Sequence, residues 1–237
     1  MKTAVILAGG LGLRLNPYTL TLPKPLLPLN GMPILEIILH QLKSEKFERV
    51  IISVGYLADL IKAYVKDGSK FGLQISYIEE TTPMGTAGSL SLIEDLPENF
   101  LVLNGDVLTK FNFSQLISNL EENKADAVVC LIKSNVQIDY GTVILDENNS
   151  IIEYKEKPKI EFLMSSGLYA IKRESLKILG LEKTDMPDFL TNLKLSGGRV
   201  MGLVTDSYWQ DIGKHEDYLQ ASIDFEKNTQ EFLRNYV

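Results

Sequence analysis

The sequence predicts an α/β protein: a mostly parallel central sheet with helices on both faces, and a smaller mixed lobe in the second half. Three observations carry that expectation. Short apolar segments rich in β-branched residues alternate with helix-periodic ones through the first half, the pattern of βαβ units. Several of those apolar segments lack polar–apolar alternation, as strands covered on both faces do. Beyond about residue 140 the strand-like segments instead follow one another across turns.

Taken in order, residues 3–7 (TAVIL), 49–54 (RVIISV), 73–78 (LQISYI), 100–103 (FLVL) and 127–132 (AVVCLI) read as strands. Between them, helical periodicity marks 33–46, with Ile34, Leu35, Ile38 and Leu42 on one stripe, then 58–67, 87–94 and 114–124. In the second half 141–145, 151–156 and 167–171 are strand-like, the first two separated by the turn cluster Asp146-Glu147-Asn148-Asn149-Ser150. Helices follow near 173–179 and 187–195, then a strand at 199–204. A long polar helix starts near Glu216, with Tyr218, Leu219, Ser222, Ile223 and Phe225 as its expected packed side.

The 237 residues amount to one large domain or two small ones at roughly 150 residues per domain. No linker composition or repeat divides them. With 24 Lys+Arg against 31 Asp+Glu the formal charge is −7, which argues against nucleic acid or an anionic membrane as the main partner. The one cysteine, Cys130, excludes an internal disulfide framework. No apolar run approaches the ~18–20 residues of a membrane span. The N-terminus lacks a signal-peptide pattern, so the expected location is the cytoplasm.

After the first strand comes Ala8-Gly9-Gly10-Leu11-Gly12-Leu13-Arg14. Glycines there let backbone N–H groups approach phosphate oxygens without a Cβ in the way. A P-loop would end in Gly-Lys-Ser/Thr, whereas Leu13-Arg14 follow Gly12. A dinucleotide fingerprint starting at Gly10 would need glycine where Leu15 stands, and an acid where Val54-Gly55-Tyr56 closes the second strand. What remains is a glycine-rich loop with its own arginine, followed by Pro23-Lys24-Pro25. The prolines stiffen that segment and fix where Lys24 points. Arg14 offers a two-pronged grip on phosphate and Lys24 a compact point charge.

Read from Gly9 to Leu26, G-G-x-G-x-R-L-x-P-x-T-x-x-x-P-K-P-L resembles the signature of the sugar-phosphate nucleotidyltransferases. The similarity continues through Glu80…Gly85-Thr86-Ala87-Gly88, Asn104-Gly105-Asp106, Glu156-Lys157-Pro158 and Trp209-Gln210-Asp211-Ile212-Gly213. Within the family it is nearest to the mannose- and heptose-1-phosphate guanylyltransferases. The resemblance implies a Rossmann-like fold in a single domain, 1–237. Its nucleotide-binding half would be about 1–110 and its sugar-phosphate-binding half about 111–237. It also implies the reaction NTP + sugar 1-phosphate → NDP-sugar + pyrophosphate, with Mg²⁺. The chain stops soon after its last helix, so no C-terminal β-helix domain is expected.

The nucleophile of that reaction is an ionised phosphate oxygen, so no general base is required. Catalysis reduces to alignment and charge neutralisation. The resemblance assigns Arg14, Lys24 and Asp106 as catalytic, and Asp106 with Asp211 as metal ligands, a donor set that suits Mg²⁺. It assigns the nucleotide to Leu7, Ala8, Gly9, Gly10, Gly12, Arg14, Glu80, Gly85 and Thr86. A carboxylate at Glu80 only accepts hydrogen bonds, so it favours the N1–H and N2–H₂ edge of guanine over uracil. The start of a helix after Gly85 is expected to offer free N–H groups. Asn104, Gly141, Glu156, Lys157, Ser166 and Gly167 would hold the sugar phosphate. Ser165 stands where relatives commonly have asparagine, which makes the sugar the least secure transfer.

His40 and His215 lack metal-ligand spacing, Cys130 sits in a buried strand as inert packing, and no G-x-S-x-G elbow is present. The expected partners are a nucleoside triphosphate and a sugar 1-phosphate, with no nucleic acid and no membrane; the terminal helix and the family leave room for a homodimer. A uridylyltransferase acting on a hexose or amino-sugar 1-phosphate is the alternative within the class. A non-catalytic nucleotide-sugar sensor is the alternative outside it.

Overall fold

The β-branched apolar runs form the strands of the central sheet in this computed structural model, which describes residues 1–80 and 82–234. The first half runs β1 (Thr3–Ala8), a small hairpin of β2 (Pro28–Leu29) and β3 (Met32–Pro33), α1 (Ile34–Ser44), β4 (Arg49–Val54), α2 (Ala58–Val65), β5 (Gln74–Glu79), α3 (Gly85–Gly88), β6 (Asn99–Asn104), β7 (Val107–Thr109) and α4 (Ser114–Glu122). The second half runs β8 (Ala127–Gln137), β9 (Thr142–Leu145), β10 (Ile151–Lys155), β11 (Lys159–Lys172), α5 (Met186–Leu195), β12 (Val200–Thr205), β13 (Trp209–Asp211), α6 (His215–Lys227) and α7 (Thr229–Leu233).

Seven strands pair in the order β12-β8-β11-β6-β1-β4-β5. All neighbours are parallel except at β11, which is antiparallel to β6 and β8. Side chains leave successive strand positions on opposite faces. Along β1, Ala4, Ile6 and Ala8 join the core under α1, α2, α4, α6 and α7, while Val5 joins the core under α5. The predicted stripe of α1, Ile34, Leu35, Ile38 and Leu42, is fully buried. Each such side chain contributes about 1.5–3 kcal/mol on removal from water.

After β1 the chain builds β4 and β5 on one side and returns to β6 on the other. That reversal is the topological switch point where open α/β sheets leave a crevice at the strands' carboxyl ends. No helix among the described residues is long and apolar enough to cross a membrane.

Several expected elements take another form. Residues 87–94 are not one helix; α3 covers Gly85–Gly88 and a 3-10 turn covers Ser89–Leu92. The two glycines and two serines between 85 and 92 are poor helix formers. Arg173–Ile178 is also a 3-10 turn. β8 and β11 run past the predicted strands as a two-stranded arm, beside which β9 and β10 form their own hairpin. Both faces of this lobe are open to solvent, so no alternating pattern marked the extension. On α6 the buried positions are Ala221 and Phe225, whereas Leu219 and Ile223 are 59% and 45% exposed.

Candidate active site

The glycine loop lines a cleft of about 480 Å³ at the carboxyl ends of β1 and β6. Gly12 has φ 64, and the Thr19 hydroxyl donates to its carbonyl at 2.9 Å, closing the loop on itself. A Cβ at Gly12 would come within 2.9 Å of Thr19. Across the switch point the Gly105 N–H donates to the Leu7 carbonyl, 2.9 Å, so the two strand ends meet without a gap. Leu7, Ala8, Gly9, Gly10, Gly12, Arg14, Lys24, Glu80, Gly85, Thr86, Asn104 and Asp106 all line this one cleft, although the sequence spreads them over a hundred positions.

Lys24 opens a 3-10 turn directly after Pro23 and is almost buried. Its Nζ lies 2.5 Å from Asp106 Oδ2 and 3.9 Å from Asp211 Oδ1. The two acids come from segments far apart in sequence, and a ladder holds them together. β13 runs antiparallel to β7 with Asp211 opposite Val107, and the Ile212 N–H donates to the Asp106 carbonyl at 3.1 Å. Gly213 sits where a Cβ would lie 2.7 Å from Asp211 Oδ2 and 3.2 Å from Arg14 Nη2, so Arg14 and Asp211 share that space. Burial, with Asp106 second, pushes the Asp211 carboxyl up; Lys24 and Arg14 pull it back. Asp106 Oδ1 is buried with no protein hydrogen-bond partner. A buried carboxylate oxygen without a donor is costly unless something else completes it.

Glu80 faces the loop from the end of β5. Its Oε1 accepts from the Ser53 hydroxyl at 2.8 Å and its Oε2 from the Met84 N–H at 3.0 Å. Each oxygen keeps lone-pair capacity after these bonds. Thr81, next to it in the loop, lies outside the described residues.

The expectation of free N–H groups at the helix start is not met. The Ala87 and Gly88 N–H groups both donate to the Thr184 carbonyl, and the Thr86 N–H donates to Asp185 Oδ1. In return Thr86 Oγ1 accepts from the Met186 N–H, 2.7 Å, at the head of α5. Gly85 has φ 77, and a Cβ there would be 2.6 Å from the Thr184 carbonyl oxygen. The segment 182–185 is therefore a strap laid across α3, and it carries Lys183 into the cleft wall. Lys183 was missed from the sequence. The pairing that places it spans 99 positions, and nothing local announces it.

The sugar-side residues divide into two groups. Ser166 and Gly167 are buried in β11, where Gly167 (φ 75) lies directly against the Asn104 amide. Gly141 lies against Tyr154 and Glu156 on the exposed lobe, with Lys157 following. None of Gly141, Glu156, Lys157, Ser166 or Gly167 lines the cleft itself. Cys130 is fully buried, and burial pushes its thiol up, away from reactivity. His40 pairs with Glu36 at 3.6 Å and meets the Phe71 ring edge-on; His215 packs on Tyr18.

Comparison with known proteins gives a consistent set of likenesses. Residues 3–228 match the family model described as nucleotidyl transferase. A mannose-1-phosphate guanylyltransferase of Mycobacterium tuberculosis is 32% identical over 232 residues, 93% of this chain and 64% of the relative. A UTP–glucose-1-phosphate uridylyltransferase of Synechocystis is 32% identical over 239 residues, 92% and 62% of the two. The chain thus spans less than two-thirds of the length of these curated relatives. Among solved structures, HddC from Yersinia pseudotuberculosis complexed with GMP-PN superposes with a TM-score of 0.73 at 27% identity, covering 95% of this chain and all (100%) of that one.

Proposed function

The chain belongs to the nucleotidyl transferase family, and from that premise we propose that it joins a nucleoside triphosphate to a sugar 1-phosphate with release of pyrophosphate. The triphosphate in this reading is GTP and the sugar mannose- or heptose-like. One observation carries the proposal: a single cleft at the switch point combines a glycine loop, Arg14, Lys24 and Asp106, and a β-ladder holds Asp211 just outside its lining, 3.9 Å from Lys24 Nζ.

The reading explains how an acidic protein can handle two polyanions. Arg14, Lys24 and Lys183 stand together where phosphates would meet, with Asp106 and Asp211 beside Lys24. The loop N–H groups and the Arg14 fork hold the triphosphate, and Lys24 neutralises charge beside the α-phosphate. Asn104 in the cleft wall orients the sugar phosphate for in-line attack, together with Gly141, Glu156, Lys157, Ser166 and Gly167, which stand beyond the lining. Nothing need accept a proton.

Mg²⁺ is the expected cofactor, and the residues fit it. Asp106 and Asp211 offer hard oxygen donors, one of them the orphaned Oδ1 of Asp106. When bound, the ion would supply further neutralisation of phosphate charge. Guanine is favoured by the acceptor character of Glu80, by a relative named as a guanylyltransferase and by the GMP-PN complex of HddC. The Synechocystis relative supports uridylyl transfer as the second reading. Cytoplasmic location is part of the same proposal.

The test is a matrix of nucleoside triphosphates against sugar 1-phosphates, scored by product mass and pyrophosphate, with Mg²⁺ and with EDTA. A GDP-sugar formed only with Mg²⁺ is expected. UDP-sugar with UTP alone would remove guanine, and binding without turnover across the matrix would mean a sensor.

A further inference from the structure

We propose that Trp209 is a positioning residue whose indole N–H sets the sugar-phosphate side of the cleft at a fixed offset from Asp106 and Asp211. The inference rests on the reading above and adds a residue and a role to it.

Trp209 and Asp211 are two apart on β13, so their side chains leave the strand on the same face. The strand is bound in register to β7, with Trp209 opposite Thr109 and Asp211 opposite Val107. At its far end the indole Nε1 donates to the Ser166 carbonyl at 2.8 Å. Ser166 is 1% exposed, and its own hydroxyl donates to the Cys130 carbonyl at 2.9 Å.

The Ser166 carbonyl needs such a donor because the strand is irregular there. Between Ser165 and Tyr169, β11 advances four residues while β8 advances two. The extra residues kink out of the ladder, and the kink contains Gly167, which lies against the Asn104 amide. One rigid side chain therefore connects the strand bearing Asp211 to the turn that supports Asn104. Aligning a phosphate nucleophile with the α-phosphorus tolerates little error, since a misplacement of about 1 Å can cost roughly a hundredfold in rate. An indole suits the task because it has few rotatable bonds and a donor at its far edge. Phenylalanine would keep most of the ring and lose the donor.

Trp209 is the chain's one tryptophan, so its emission reports on this contact alone. Emission is recorded with Mg²⁺ and a non-reacting GTP analogue present, before and after adding mannose 1-phosphate, or whichever sugar 1-phosphate the matrix identifies. Inorganic phosphate serves as control. The sugar phosphate is expected to change the emission more than the nucleotide analogue does. Kinetically, Trp209→Phe should keep the nucleotide KM within about twofold while kcat/KM for the sugar phosphate falls about tenfold to a hundredfold. Trp209→3-benzothienylalanine keeps the ring shape and replaces the N–H by sulfur. It should reproduce the kinetic loss of Trp209→Phe while lowering the unfolding midpoint less, because the ring still packs; that separates the donor from packing. Unmoved emission during demonstrable turnover, equal shifts in both KM values, or wild-type kinetics in the benzothienyl variant would each overturn the role. A wild-type protein that turns over no pair in the matrix overturns the underlying reading instead.

Discussion

Lys24 is the residue on which the proposed chemistry concentrates, because a single Nζ serves two carboxylates. Replacing it by alanine should lower turnover by roughly 10²–10³-fold, the scale of losing a preorganised charge contact. The protein should stay folded, as circular dichroism and an unfolding curve would register. Asp106→Asn should abolish turnover and also cancel the thermal stabilisation expected of millimolar Mg²⁺ in the wild type; a full Mg²⁺ shift in that variant would remove Asp106 from the proposed metal site. These residues were legible because a long motif carries them. The proline-flanked lysine points where its rigid frame sends it, and the acids follow strands. What the motif could not convey is occupancy. Glu80 reads as a base contact, and the folded geometry adds that each of its oxygens also accepts one protein hydrogen bond, from Ser53 and from Met84, which fixes its orientation.

At the scale of elements, the strap across α3 is the least expected feature. It depends on Gly85, whose φ of 77 and contact with the Thr184 carbonyl exclude a side chain. Gly85→Ala should therefore cost about 1–3 kcal/mol in urea unfolding. It should also raise the KM for the nucleotide, because Lys183 and Thr86 would shift with the strap. An unchanged nucleotide KM together with lowered stability would mean that the strap only holds α5. The main strands and α1 could be read from the sequence because both faces are buried and their apolar patterns are continuous. The strap could not, being a loop tied to α3 through the Thr184 carbonyl and the Asp185 carboxylate, a pairing across 99 positions that no local pattern announces. β7 and β13 escaped for another reason: three residues each are too few to show a period, although they fix the distance between the aspartates.

For the whole molecule, core and lobe differ in how they are held. The central strands β1, β4 and β6 are packed on two faces, whereas Ile151, Ile152 and Tyr154 of the hairpin are each more than 60% exposed. Local opening free energy follows buried contact density. Limited proteolysis should therefore nick the chain first in the 146–150 turn and leave a folded remainder, identifiable by fragment mass; first cleavage within 3–54 would contradict this. The alternation of apolar and helix-periodic segments foretold the α/β class. It gave no indication of the lobe's exposed apolar side chains, since a strand pair that is wet on both sides follows no rule of alternation.

β11 takes part in both regions, entering at Lys159 in the arm and leaving at Lys172 in the core. With β8 it forms an arm continuous with the molecule's centre, held as well by the Lys133–Asp206 ion pair at 3.0 Å. The ladder between the two strands breaks between Ser165 and Tyr169, beside Asn104 and Trp209. The root of the arm and the wall of the cleft therefore meet at one place, Asn104.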